Sequence, residues 1–188
     1  MMGIGGKSDN YSLSDRPGWL RLTCDAETLD DRTSPTFVGR RQRHFKCRAA
    51  AFLDFEPEVD EQEAGLTAFM NDRHHYEIAV TRRTGQRQII VRRRIGSLQQ
   101  IVAQAPIPSG PVELAIEADR DWYTLRCAVP GEPSIALARG ETRYLSSEVG
   151  GMFTGVYLAM YATGAGLPGS AKAYFDWFNY RDLSEDGP

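Results

Sequence analysis

From position 45 to 55 every second residue is apolar or small: Phe45, Cys47, Ala49, Ala51, Leu53 and Phe55. Successive side chains in a strand point to opposite faces, so this spacing predicts a strand with one buried face. Weaker versions of the signal recur at 19–23, 66–71, 89–94, 99–104, 122–129, 156–162 and 171–180. Tyr76, Ile78 and Val80 alternate with Glu77 and Ala79; Val112, Leu114 and Ile116 alternate with Glu113 and Ala115. Ile95-Gly96-Ser97 reads as the turn joining two of these runs. No segment sustains a 3.6-residue period with caps at both ends. Short strands, frequent turns and almost no helix predict an all-β sandwich.

Length and composition sharpen this picture. A chain of 188 residues with 41% hydrophobic positions suits one sandwich with a real core. Residues 1–15 are rich in Gly, Ser and Asp and read as a linker or cloning-derived leader. The sandwich is expected over 16–181, with a tail at 182–188. The net charge of −3 argues against nucleic acid as the main partner, because phosphate binding needs a dominant positive field. No run of about 18 apolar residues is present, so no membrane span is expected, and the first residues lack the apolar stretch of a signal peptide. Three cysteines, Cys24, Cys47 and Cys127, are an odd number without CxxC spacing. They read as small buried residues, not a disulfide framework or zinc site, and a reducing cytoplasmic setting is the expectation.

Several patterns invite a chemical reading. Glu58-Val59-Asp60-Glu61-Gln62-Glu63 spells ExDxxE and resembles the catalytic strand of family 16 endoglucanases, where two carboxylates about 5–5.5 Å apart serve retaining hydrolysis. Pro57 before it, Ala64-Gly65 after it and polar residues inside it point instead to a solvated acidic loop. A self-contained glycosidase using Glu58 and Glu63 is therefore the least favoured reading. Arg40, Arg41, Arg43, His44, Lys46 and Arg48 form a basic stretch that, with Arg92, Arg93 and Arg94, would make a cationic face. It reads as a solvated sheet face or as a polar seam against a partner domain. His44, His74 and His75 lack ligand spacing. The C-terminal aromatics Tyr157, Tyr161, Tyr174, Phe175, Trp177, Phe178 and Tyr180 read mostly as core. Phe153 differs, because it sits in the glycine-flanked turn Gly150-Gly151-Met152-Phe153-Thr154-Gly155, which can project one ring outward. The odd spacing of Phe175 and Phe178 predicts a bulge near Asp176.

Five segments together resemble one family. Arg16-Pro17-Gly18-Trp19-Leu20-Arg21-Leu22 is similar to the opening of the C-terminal β-sandwich domain of glycoside hydrolase family 43 β-xylosidases and α-L-arabinofuranosidases. Val38-Gly39-Arg40-Arg41-Gln42-Arg43-His44-Phe45 resembles its "ARRQQHF" segment, with Arg43 replacing a Gln. Ala64-Gly65-Leu66-Thr67-Ala68-Phe69 resembles "AGLTAYY", Gly151-Met152-Phe153-Thr154-Gly155 resembles "GxFTG", and residues 173–180 resemble the closing "AxFDxFxY" strand. The polar "CQD"-like step after the FTG strand is Ala159-Met160-Tyr161-Ala162 here. The resemblance covers about residues 11–181.

It implies a concanavalin-like β-sandwich, of jelly-roll type, and a partner: an N-terminal five-bladed propeller that carries two Asp and one Glu and inverts the anomeric centre. It implies no catalytic residue in this chain. Phe153 and Thr154 would line the sugar pocket, Arg40, Arg41 and His44 would face the propeller, and the ligand would be a xylo- or arabino-oligosaccharide. Related sandwiches hold a structural calcium ion, for which Asp176, Asp25 and Glu27 are the candidates; no other cofactor is implied. The accessory role is the leading reading, and a free-standing carbohydrate-binding sandwich the alternative.

Overall fold

The computed structural model describes residues 2–5, 8–33, 35–151, 153, 155–167 and 171–184. Two seven-stranded sheets account for most of them. The first sheet has the order β1 (Met2–Gly5), β4 (Thr36–Arg41), β13 (Tyr157–Thr163), β6 (Glu63–Asn71), β7 (His74–Arg83), β8 (Gln86–Ile95), β9 (Leu98–Pro106). The second has the order β12 (Ile135–Glu141), β11 (Trp122–Ala128), β10 (Val112–Ala118), β5 (Cys47–Asp54), β14 (Lys172–Asp182), β3 (Leu20–Thr23), β2 (Tyr11–Ser12). Every ladder is antiparallel. Strands β6 to β9 and β10 to β12 follow as hairpins. By contrast β13 and β14 return late in the chain to wedge between β4 and β6 and between β5 and β3, as in a jelly roll.

The core lies between the sheets and follows the period-two pattern. Cys47, Ala49, Ala51 and Leu53 of β5, with Leu114 and Ile116 of β10, face Leu66, Ile78, Val91, Leu158 and Met160. All three cysteines are buried and free; burial pushes the Cys24 thiol up to about 12 and that of Cys127 to about 11. Phe45, expected on the core face, is 78% exposed. Strand β5 begins only at Cys47, and the bend before it turns the Phe45 ring to solvent.

The stretch 1–15 departs from its expected linker role. Met2–Gly5 pairs with β4, Tyr11–Ser12 pairs with β3, and the buried Asn10 amide donates to Asp25 and Thr36. Hydrophobic periodicity could not show this, because polar side chains and backbone make the attachments. Two further strands, β4 and β12, were not anticipated.

The centre of the first sheet is covered on both faces, whereas its edge strand β9 is largely exposed. The loop between β3 and β4 lays Leu29 across its outer side, against Ala79, Ile90 and Tyr161. Strands β6 and β7 therefore bury almost every residue, the polar ones included.

Candidate functional site

One end of the sandwich gathers the segment 42–46, the β10–β11 turn, the segment after β12 and the turn before β13 around an open depression of about 890 Å³. The turn before β13 is held from both sides. The short helical segment Ser147–Gly150 ends on Gly151 at φ 70°, and the Asn71 amide donates to the Gly150 carbonyl at 2.9 Å. Gly155, at φ 71°, leads back into the sheet beside the Arg41 side chain. Both angles fall in the left-handed region that glycine enters without a Cβ clash. Between them Phe153 stands 98% exposed. Thr154, the other residue expected in the sugar pocket, lies outside the described residues.

The basic residues expected at the domain interface mostly serve this end of the molecule from within. The Tyr180 hydroxyl accepts from the backbone N–H groups of Arg43 (3.0 Å) and His44 (3.2 Å) and lies 3.1 Å from His44 Nδ1. His44 Nε2 is 3.4 Å from the Asp182 carboxylate. The Arg40 guanidinium sits 4.2 Å above the Tyr180 ring, and that of Arg41 5.4 Å above Tyr157. Gln42 accepts from the Tyr123 hydroxyl at 2.7 Å and donates to the His44 carbonyl at 2.9 Å. These contacts fix the loop that presents Phe45. With Trp122, 37% exposed, Phe45 gives the depression apolar surface among charged residues that include Arg43, Asp119 and Arg143. Exposed aromatics mixed with arginine are the composition that protein interfaces favour.

A second constellation was missed from sequence. On the outer face of the first sheet, Glu63 and Glu77 are each buried and converge on Arg92. Arg92 Nη1 donates to Glu63 at 2.9 Å and to Glu77 at 2.7 Å, and Nη2 pairs with the other Glu63 oxygen. The Tyr161 hydroxyl donates to Glu77 at 3.1 Å. Gly65, paired with Tyr161 and Ala79, adds no side chain; a Cβ there would come within 2.0 Å of the Ile78 carbonyl oxygen. Burial pushes the Glu63 carboxyl up. Burial would do the same to Glu77, but Arg92 and His75 bring it below its usual range.

His75 extends the network. Its Nδ1 donates to the Asn71 carbonyl at 3.0 Å, and its Nε2 lies 2.8 Å from Glu77 and 3.3 Å from Asp30. Neither carboxylate is placed for an ideal hydrogen bond to Nε2, so these contacts act chiefly as ion pairs. Burial alone would lower the imidazole pKa, but the two carboxylates raise it from 6.5 to about 9. The group is raised above its unfolded value, so its stabilisation is complete below pH 6.5 and disappears as pH climbs through about 9. Urea unfolding between pH 6 and 10 should show a loss of about 3 kcal/mol that is missing in His75→Gln. Parallel pH profiles for the two proteins would contradict this.

The sequence candidates fare differently. Glu58, Val59, Asp60 and Glu61 are exposed, as the acidic-loop reading holds, but Gln62 and Glu63 are buried. Gln62 turns inward because its side-chain oxygen accepts from the N–H groups of Glu58 and Val59; Glu63 opens β6 and meets Arg92. Glu58 and Glu63 thus share no strand face. No cationic face forms either: β4 and β8 are separated by three strands, Arg92 is committed to two carboxylates, and Arg94 reaches Asp30 at 3.1 Å.

The calcium candidates are not gathered. Thr23 pairs with Lys172 and Leu20 with Phe175, so Asp25 and Asp176 lie beyond opposite ends of that ladder, roughly 20 Å apart at strand rise. Asp25 instead accepts from Asn10 and from the Ala26 N–H. Among the described residues no three His, Cys, Asp or Glu side chains group to hold a metal ion. Asp176 therefore does not join Asp25 in one calcium site.

Two stacked antiparallel sheets of this topology place the chain in the class of concanavalin A-like sandwiches. Residues 6–181 match the family described as the beta xylosidase C-terminal concanavalin A-like domain, and the chain belongs to that family. It is 38% identical over 174 residues to the non-reducing end alpha-L-arabinofuranosidase BoGH43B of Bacteroides ovatus, covering 92% of this chain and 33% of that protein. A xylosidase/arabinosidase of Butyrivibrio fibrisolvens is 27% identical over 183 residues, covering 97% and 35%. The solved structure of the B. ovatus xyloglucan-locus protein GH43B superposes with a TM-score of 0.89 at 37% identity, over 95% of this chain and 35% of that one. The xylan beta-1,4-xylosidase of Bacillus halodurans gives 0.85 at 25% identity, over 94% and 35%. The chain thus spans about a third of the length of the curated relatives it matches.

Proposed function

We propose that this chain is the accessory domain of a family 43 glycoside hydrolase, that its Phe153 end packs on a catalytic propeller, and that the Phe153 ring closes one side of that propeller's sugar pocket. The observation carrying this reading is the 98% exposure of a phenylalanine on a turn anchored at both ends, beside a depression that also exposes Phe45. A fully exposed ring forgoes about 1.5–3 kcal/mol that burial would return, and a partner surface supplies that burial. The names of the relatives point to a terminal xylose or arabinose unit as substrate. Catalysis then rests with the propeller's carboxylates, and this chain contributes shape and water exclusion.

The isolated chain should hydrolyse neither aryl xylosides nor aryl arabinofuranosides. Combined with a cognate propeller, it should associate, and Phe45→Ala should weaken the association about tenfold, as loss of a central interface aromatic does. Turnover by the chain alone, or association indifferent to Phe45, would overturn the reading.

A further inference from the structure

The bulge in β14 has an outward consequence. Phe175 pairs with Leu53 and Phe178 with Ala51, so β14 spends three steps where β5 spends two, and Asp176 and Trp177 both oppose Phe52. Without the extra residue, alternation would send position 177 into the core. Instead Trp177 lies 38% exposed on the outer face of the second sheet, its ring 6.3 Å from that of Phe52 and nearly parallel at 17°. Phe52 is in turn 6.3 Å from Trp19, over which the Arg16 guanidinium stacks at 3.7 Å. The file of three rings ends at a hollow of about 370 Å³ lined by Arg16, Asp54, Lys172 and Tyr174, among others.

We infer that this face is a second carbohydrate-binding surface, which takes a neutral oligosaccharide by stacking sugar rings on Trp177 and Phe52 and hydrogen-bonding hydroxyls in the adjoining hollow. Three observations select that occupant. The charges around the file are already matched on the sheet, Arg16 with Asp54 at 2.8 Å and Arg48 with Glu113 and Glu117, which leaves little field to attract a charged partner. The exposed aromatic area is confined to one narrow file, small against the roughly 800 Å² per side that a stable protein interface needs. The flanking groups are the Tyr174 hydroxyl, the Arg16 guanidinium, the Lys172 ammonium and the carboxylates of Asp54, Glu56 and Glu58, donors and acceptors that sugar hydroxyls use, whereas a lipid surface would find no apolar expanse.

This surface is independent of the Phe153 end, and the test separates the two. Xylohexaose and cellohexaose would be titrated into the 188-residue chain, followed by calorimetry and tryptophan fluorescence. Saturable binding of at least one is expected, weakened at least tenfold by Trp177→Ala, largely retained by Trp177→Phe, and changed less than twofold by Phe153→Ala. Thermal unfolding of each variant establishes that it is folded, and Phe52→Ala replaces Trp177→Ala should that variant fail. No binding, binding indifferent to Trp177 and Phe52, binding abolished by Phe153→Ala, or a Trp177-dependent dimer in sedimentation would each overturn the inference.

Discussion

Replacing Arg92 by methionine should lower the unfolding free energy at pH 7 by about 3–5 kcal/mol, the usual consequence of leaving buried charge without its partner. Methionine keeps most of the volume, so the loss reports charge and not a cavity. Arg92 is 17% exposed and holds two carboxylates that are 2% and 3% exposed. Without it both carboxylates remain beside the Leu29 loop without their cation, and Glu61 and Asp30 nearby add further negative charge. Glu63, already pushed toward protonation by burial, would take up a proton first. The defect should therefore shrink toward pH 5, and Glu63→Gln introduced beside Arg92→Met should restore part of the stability. Urea denaturation at the two pH values measures this. An unfolding midpoint that does not move at pH 7 would mean that the pair contributes no net stability.

Phe153→Ala should leave the unfolding free energy within about 0.5 kcal/mol, because an exposed side chain makes no packing contribution to the fold. In the full-length enzyme the same change should lower kcat/KM about 10–100-fold, which corresponds to losing roughly 1.4–2.8 kcal/mol of ring burial in the transition state. Phe153→Trp should recover more activity than Phe153→Ala. Steady-state kinetics on an aryl xyloside and an aryl arabinofuranoside provide the measurement. Unchanged kcat/KM on both would remove Phe153 from the pocket. A parallel loss of stability would instead assign it a structural role.

The fold was legible where strands bury one face. The alternation in 47–53 and 112–116 corresponds to β5 and β10, and the spacing of Phe175 and Phe178 revealed the bulge. It was illegible where that condition fails. Strand β4 is buried on both sides, so Thr36, Val38 and Gly39 show no alternation, and β12 is a half-exposed edge. At the site, Phe153 was readable because flanking glycines mark a projecting turn. The Glu63–Glu77–Arg92–His75 network was not, since its members come from three successive strands whose cross-strand register the sequence does not display. His75, Glu77, Ala79 and Thr81 all lie on one face of β7, a polar-looking row that reads as solvent-facing although it is buried. The calcium reading rested on resemblance, and the ladder register places its members apart.

The bulge also has a meaning in the arithmetic of the chain. Removing one residue between Phe175 and Phe178 would restore a regular ladder without turning any later side chain over: Phe178 and Tyr180 would still face the core, and Tyr180 would still receive the amides of Arg43 and His44. The sandwich is thus complete without the extra letter. Asp176 and Trp177 share the one outward place opposite Phe52, so the side chain at 177 can be exchanged on the outer face while the opposite end of the molecule keeps its form.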